Sequence, residues 1–172
     1  MNNRLIALSL LVIGAVCSRF LPHPPNFTPI GAIALFGGVY FTEKKWSVLI
    51  PILAMFLSDL IIGLHDTMLF VYVSFGIIAL LGIVLKDRIQ QSWTLPILSV
   101  SSSLLFFIIT NFGVWASGSL YPRTLDGLST AYIAGLPFLK NTMAGDAIYV
   151  LLLFGGWALL QKGVPALRLK TA

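Results

Sequence analysis

The chain has 172 residues, 58% of them hydrophobic and 10% charged, with a net charge of +5 and a mean hydropathy of +0.94. Soluble domains carry roughly 25% charged residues, so these values exclude that class and place the chain in a membrane. The basic residues stand at the ends of apolar runs, which reads as orientation in a bilayer and not as a nucleic-acid surface.

A helix needs about 20 apolar residues to cross a bilayer. Six segments meet or approach that length: 4–20, 29–42, 46–63, 69–86, 95–117 and 143–161. The expected fold is therefore all-α, one transmembrane domain of six helices over residues 1–172. The first segment has features of a cleaved lipoprotein signal, with Arg4, an apolar run and Cys17. Val16 stands where such a site needs a small residue, and the rest of the chain is just as apolar, so it reads as a retained span. Cys17 is the single cysteine, which excludes an internal disulfide and a multi-cysteine metal site.

The connector RFLPHPPNFTPIGAIALFGG, residues 19–38, is the stretch around which the other segments are organised. Pro22, Pro24 and Pro25 fix φ and remove backbone donors, so they cannot be helix interior. Pro29 suits the first turn of a new helix. A stiff loop carrying Arg19, His23 and Asn26 beside an apolar bundle is built to sit over something. The second span is short, and is expected to tilt little or to stop below one surface. Pro51 and Pro96 fall near the starts of their spans, where proline is tolerated. Residues 118–142 form the longest stretch between spans and read as a lid, with a short interfacial or re-entrant helix around 124–136 flanked by turns.

An N-in, C-in arrangement puts Arg4, Lys44, Lys45, Lys86, Arg88, Lys162, Arg168 and Lys170 on the cytoplasmic side, against Arg19, Arg123 and Lys140 outside. That obeys the positive-inside rule. Gly31, Ala34 and Gly38 in span two, and Gly76, Ala79 and Gly82 in span four, have helix-contact spacing and read as packing faces.

Polar residues within spans are costly, so their depth is informative. Asp59, Asn111 and Asp146 fall near outer ends of spans three, five and six, with Trp115 and Tyr149 on the faces of Asn111 and Asp146. His23, Asn26 and Arg123 fall in outer loops, as does His65. The inner half offers mainly serines 99, 101, 102 and 103, which can bond back to their own helix. This asymmetry predicts a pocket open to the outside, roofed by 22–28 and 118–142 and closed below by apolar packing. A channel would carry polar groups through to the inner face. The expected ligand contacts are Asn26, Asp59, Asn111 and Asp146 as hydrogen-bonding groups, Trp115 and Tyr149 as apolar surface, and His23 or Arg123 closing over. Structural roles compete for each: Asp59 as a partner of Arg19 or Asn111, Asp146 as an acid at a helix N-terminus, Asn111 as interhelical glue, Trp115 as a membrane-interface residue, His23 and Asn26 as shapers of the loop.

The sequence has no phosphate-binding G-x-x-x-x-G-K-[ST] loop, no H-E-x-x-H and no G-x-S-x-G elbow, so ATPase, zinc-hydrolase and serine-hydrolase chemistry have no support and no cofactor is expected.

The stretches SRFLPHPPNFTPIGAIALFGG (18–38), LSDLIIG (57–63), FFIITNFGVW (106–115), YPRTLDGL (121–128) and PFLKNTMAGDAIY (137–149) resemble a family of small bacterial membrane proteins described as transport proteins of unknown function. The layout is also distantly similar to the substrate-binding S-components of energy-coupling-factor transporters, six-helix proteins that hold a vitamin-like ligand near the outer face. That resemblance implies capture of a small organic micronutrient at a bacterial inner membrane, a transmembrane coupling subunit with ATPases as partner, and no enzymatic activity. The alternative is a structural or assembly subunit without a small-molecule ligand. The S-component docking pattern Ala-x-x-x-Ala is incomplete here, since Leu11 lies between Ala7 and Ala15.

Overall fold

The structure, a computed structural model, describes residues 3–89 and 93–168. Lys170, one of the basic residues assigned to the cytoplasmic side, lies outside the described residues. The described chain is helical: α1 (Asn3–Cys17), α2 (Ile30–Tyr40), α3 (Lys44–Ile62), α4 (Met68–Leu85), α5 (Thr94–Ser117), α6 (Leu125–Val150) and α7 (Gly156–Gly163). Short 3-10 turns follow α1, α4 and α7. A π-helical turn, Leu151–Gly155, joins α6 to α7 without a break.

Five helical stretches are long and apolar enough to cross a membrane. Their flanks expose apolar side chains freely, such as Ile61, Val84 and Leu151 at 73–74%. An apolar surface that extensive belongs in lipid, and the chain is a multi-pass membrane protein. The chain runs back and forth so that Arg4 meets both Tyr40 and Leu167, donating to their carbonyls at 3.0 Å each. The two ends of the described chain therefore share one end of the bundle, the terminal end. The proline connector, the α3–α4 turn and the α5–α6 turn define the other, the loop end.

At the centre stands α2. It has 11 residues, ~16 Å at 1.5 Å per residue, about half the hydrocarbon thickness. The proposed span 29–42 is thus a half-length helix that stops below the loop-end surface. Ala32, Ile33, Ala34, Leu35 and Phe36 are all 0% exposed, because α1, α3, α4, α5 and α6 all pack around it. Small residues allow this. A Cβ added at Gly82 would stand 2.7 Å from the Leu35 carbonyl, and one at Gly38 would run into the Ala79 carbonyl, so the α2 and α4 backbones touch. Gly76 takes no part, having nothing within 4 Å of an added Cβ.

The largest departure from the expected layout is at residues 118–142. No separate lid helix precedes a sixth span at 143–161. One continuous helical rod runs Leu125–Gly163, 39 residues and ~58 Å long, against a ~30 Å hydrocarbon core. The glycines and prolines of this stretch suggested breaks, yet Pro137 lies inside α6. Proline removes one backbone bond, and a membrane helix whose neighbours hold it in place tolerates that. The rod starts cleanly, where the Thr124 hydroxyl accepts from the Gly127 N–H at 3.1 Å. Asn141 reaches sideways to donate to the Pro25 carbonyl at 2.9 Å, tying the rod to the proline connector.

Candidate ligand-binding site

The connector descends from the surface into the bundle. Pro24 to Phe27 form a turn closed by the Phe27 N–H donating to the Pro24 carbonyl at 3.0 Å. Pro25 sits at its second position and Asn26, at φ 62°, at its third. That is the type II pattern, which needs a left-handed residue there, and asparagine is among the few that accept it. Pro29 then begins the buried stretch that leads into α2.

Because α2 starts so deep, a space remains above it at the loop end. This pocket has a volume of about 420 Å³, within the range of small-molecule sites. Thr28 and Ile30 come from the start of α2, and Asp59 and Val71 from α3 and α4. Phe106, Thr110, Asn111 and Val114 come from α5, and Ala131, Ala134, Gly135 and Phe138 from α6. Arg19, Asn26, His65, Thr67, Leu120 and Tyr121 complete the lining from the turns and connectors.

The pocket's most ordered polar group is Asp59, 1% exposed. Its Oδ1 lies 2.7 Å from Arg19 Nη2, and the Tyr72 hydroxyl donates to its Oδ2 at 2.7 Å. Arg19 donates in turn to the Ser58 hydroxyl. A buried carboxylate would be strongly unfavourable in an apolar bundle without such partners, and here a guanidinium and a phenol supply them. Asn111 donates from Nδ2 to the Phe107 carbonyl of its own helix at 2.8 Å. Its Oδ1 lies so close to Gly135 that an added Cβ there would collide with it, so glycine is what lets α6 pass.

Of the expected ligand residues, Asn26, Asp59 and Asn111 come together on the pocket. The others lie elsewhere. Asp146 is not near the start of the last span; it lies 21 residues into the rod, ~32 Å along its axis. There it is 1% exposed, accepting from the Ala32 N–H at 3.1 Å and from the Ser103 hydroxyl at 2.6 Å. It caps the N-terminus of α2 from another helix, and an added Cβ at Gly31 would stand 2.6 Å from either carboxylate oxygen. Tyr149 shares its hydroxyl with Ser18 at 2.7 Å and lines an apolar groove against α1. Trp115 donates from Nε1 to the Pro122 carbonyl at 3.0 Å, which braces the α5–α6 turn. His23 is exposed and bonds the adjacent Pro24 carbonyl at 3.0 Å; Arg123 is exposed in the α5–α6 turn.

Sequence reasoning passed over Tyr72, Thr28 and Thr110. Tyr72 had a readable signal: it and Asp59 lie at similar distances from the α3–α4 turn, so antiparallel helices place them at one depth. Ser103 had none, because its partner depends on the register of the uninterrupted rod.

At the other end of α2 an aromatic layer fills the core, and beside it a second recess of about 360 Å³ has a lining that includes Arg4, Tyr40, Thr42, Lys86, Asp87 and Gln161. The Phe154 ring meets Phe36 at 5.4 Å and Tyr40 at 5.3 Å between centroids, Tyr40 meets Trp157 at 5.9 Å, and the Arg4 guanidinium lies 5.0 Å from the centre of the Trp157 ring.

An apolar helix bundle with a polar-lined cavity at the loop end, separated by an aromatic layer from a recess at the terminal end, defines a class: multi-pass α-helical membrane proteins with a loop-end pocket. Within it, the chain belongs to the family described as a family of unknown function (DUF6580), which matches residues 1–167. No curated protein and no solved structure matches it.

Proposed function

We propose that this protein is a membrane transport protein of the S-component type, one that captures a small organic micronutrient in the loop-end pocket. The observation that carries this reading is the loop-end cavity, lined from α2 to α6 by apolar walls with a few convergent polar groups. Asn26, Asp59 and Asn111 face the ligand. Asp146, Trp115 and Tyr149 act by shaping the framework, as His23 does in the connector, and Arg123 stands exposed in the α5–α6 turn. In this reading the loop end faces outward, both termini face the cytoplasm of a bacterial inner membrane, and the protein is not an enzyme. The aromatic layer between that pocket and the recess at the terminal end supports a capture subunit over a self-sufficient channel, so release needs a transmembrane coupling subunit with ATPases.

The test is native mass spectrometry of the protein purified in mild detergent. A stoichiometric small-molecule adduct, lost in Asn111→Ala, is the expected result. A clean apo mass, unchanged by a panel of vitamins and accompanied by a tightly held protein partner, would instead establish a structural or assembly subunit.

A further inference from the structure

The charge inside the pocket is balanced before any ligand arrives. Among the described residues only two fully charged side chains line it, Arg19 and Asp59, and they are paired with each other at 2.7 Å with side chains 10% and 2% exposed. Each has a further partner besides the other. Arg19 also donates to the Ser58 hydroxyl and lies 3.7 Å from the Met55 sulfur, while the second oxygen of Asp59 accepts a hydrogen bond from the Tyr72 hydroxyl. The rest of the polar lining consists of amides, hydroxyls and the His65 imidazole, whose Nδ1 lies 2.9 Å from the Thr67 hydroxyl oxygen. Asp66, Arg123, Asp126 and Lys140 do not line the pocket.

An ion buried in such a site would lose its hydration and meet no surplus counter-charge. Using Arg19 or Asp59 for the purpose would strand the other. Amide and hydroxyl groups, by contrast, match the Asn26, Thr28, Thr110 and Asn111 lining, and Phe106 and Phe138 offer surface for an apolar or ring-shaped body.

We propose that the loop-end pocket selects a neutral molecule, one with amide or hydroxyl groups on an apolar or ring-shaped body, and discriminates against carboxylates, phosphates, amines and zwitterions. This rests on the capture reading and specifies its substrate class.

The test uses matched probes that differ in charge alone: nicotinamide with nicotinate and 3-(aminomethyl)pyridine, panthenol with pantothenate, and biotinamide with biotin. Phenylalanine, matched with neutral 3-phenylpropanamide, serves as the zwitterion. Each is titrated against the full-length protein in nanodiscs by native mass spectrometry. The expected result is that the probes which bind are neutral, at least tenfold tighter than their charged counterparts. Asp59→Asn frees the guanidinium, and should shift the preference at least tenfold toward the carboxylate of the same pair. The double variant Arg19→Met/Asp59→Leu removes both charges together and should keep the neutral preference, which maintains the test should the single variant misfold. A charged or zwitterionic probe that binds the unmodified protein as tightly as its neutral counterpart overturns neutrality and leaves the capture reading standing. If neither the panel nor a co-purifying molecule binds, both fall together.

Discussion

Asp59 and Asp146 are equally buried, at 1% exposure, yet the regions around them solve the same problem in different ways. Asp59 borders an open pocket and is answered by a full positive charge from another segment. Asp146 lies outside the pocket lining and is answered by neutral donors, a backbone N–H at a helix start and a serine hydroxyl. The first arrangement is a charge pair that works only while both members are present. The second tolerates a neutral acceptor in place of the carboxylate. A carboxylate deep in a membrane protein is therefore not in itself a sign of a ligand; its partners and its access to an open space decide.

Replacing each acid by its amide breaks that comparison most directly. Asp59→Asn leaves Arg19 buried without its counter-ion, and is expected to cost about 3–5 kcal/mol of stability. Arg19→Met/Asp59→Leu should recover most of that loss, because a matched apolar pair strands nothing. Unfolding midpoints in one detergent measure both. Recovery no better than the single variant would mean that Arg19 and Asp59 contribute separately, through Ser58 and Tyr72.

Asp146→Asn is the smaller effect. The amide oxygen can still accept from Ala32, and an Nδ2 donor facing Ser103 can use the hydroxyl's own lone pair, with the serine proton turning to the Ser99 carbonyl 3.1 Å away. The expected cost is about 1 kcal/mol, the scale of one altered hydrogen bond, and ligand retention should follow stability with no separate loss. A large drop in binding at unchanged stability would bring Asp146 into the site.

The contrast between the two acids also marks how far the sequence could be read. Hydropathy alone located the apolar segments, since bilayer thickness imposes run length and the penalty for buried charge imposes composition. The pairing of Arg19 with Asp59 was open to inspection as well, because both lie close to a turn and few other charges share that level. The depth of Asp146 was not. It depends on Pro137 being inside a helix, and a proline's cost is set by the neighbours that hold the helix straight, which local sequence does not encode. Once Leu125–Gly163 is one rod, Asp146 moves from the mouth to the start of α2 and Tyr149 moves to the groove beside α1. The connector was legible in its stiffness, through proline chemistry, while the left-handed Asn26 emerged only from the structure. Its descent to Pro29 depended on α2 being only a half-length helix.

The smallest expected change in stability falls at Asn111, and it gives the sharpest separation of structure from binding. The Nδ2 of Asn111 bonds to the Phe107 carbonyl one turn back on α5, a carbonyl within the helix's own backbone ladder. Truncation to alanine removes a bond made within one helix and opens a little more of an already open cavity, so stability should move by no more than about 0.5 kcal/mol. The same change deletes a pocket-lining amide oxygen, and ligand retention is expected to fall about tenfold, the equivalent of one lost hydrogen bond of ~1.4 kcal/mol. Thermal midpoint and adduct fraction, read on the same preparation, separate the two. A stability loss as large as that of Asp59→Asn would mean that Asn111 holds α5 against α6 at Gly135, and its place on the pocket wall would be incidental to packing.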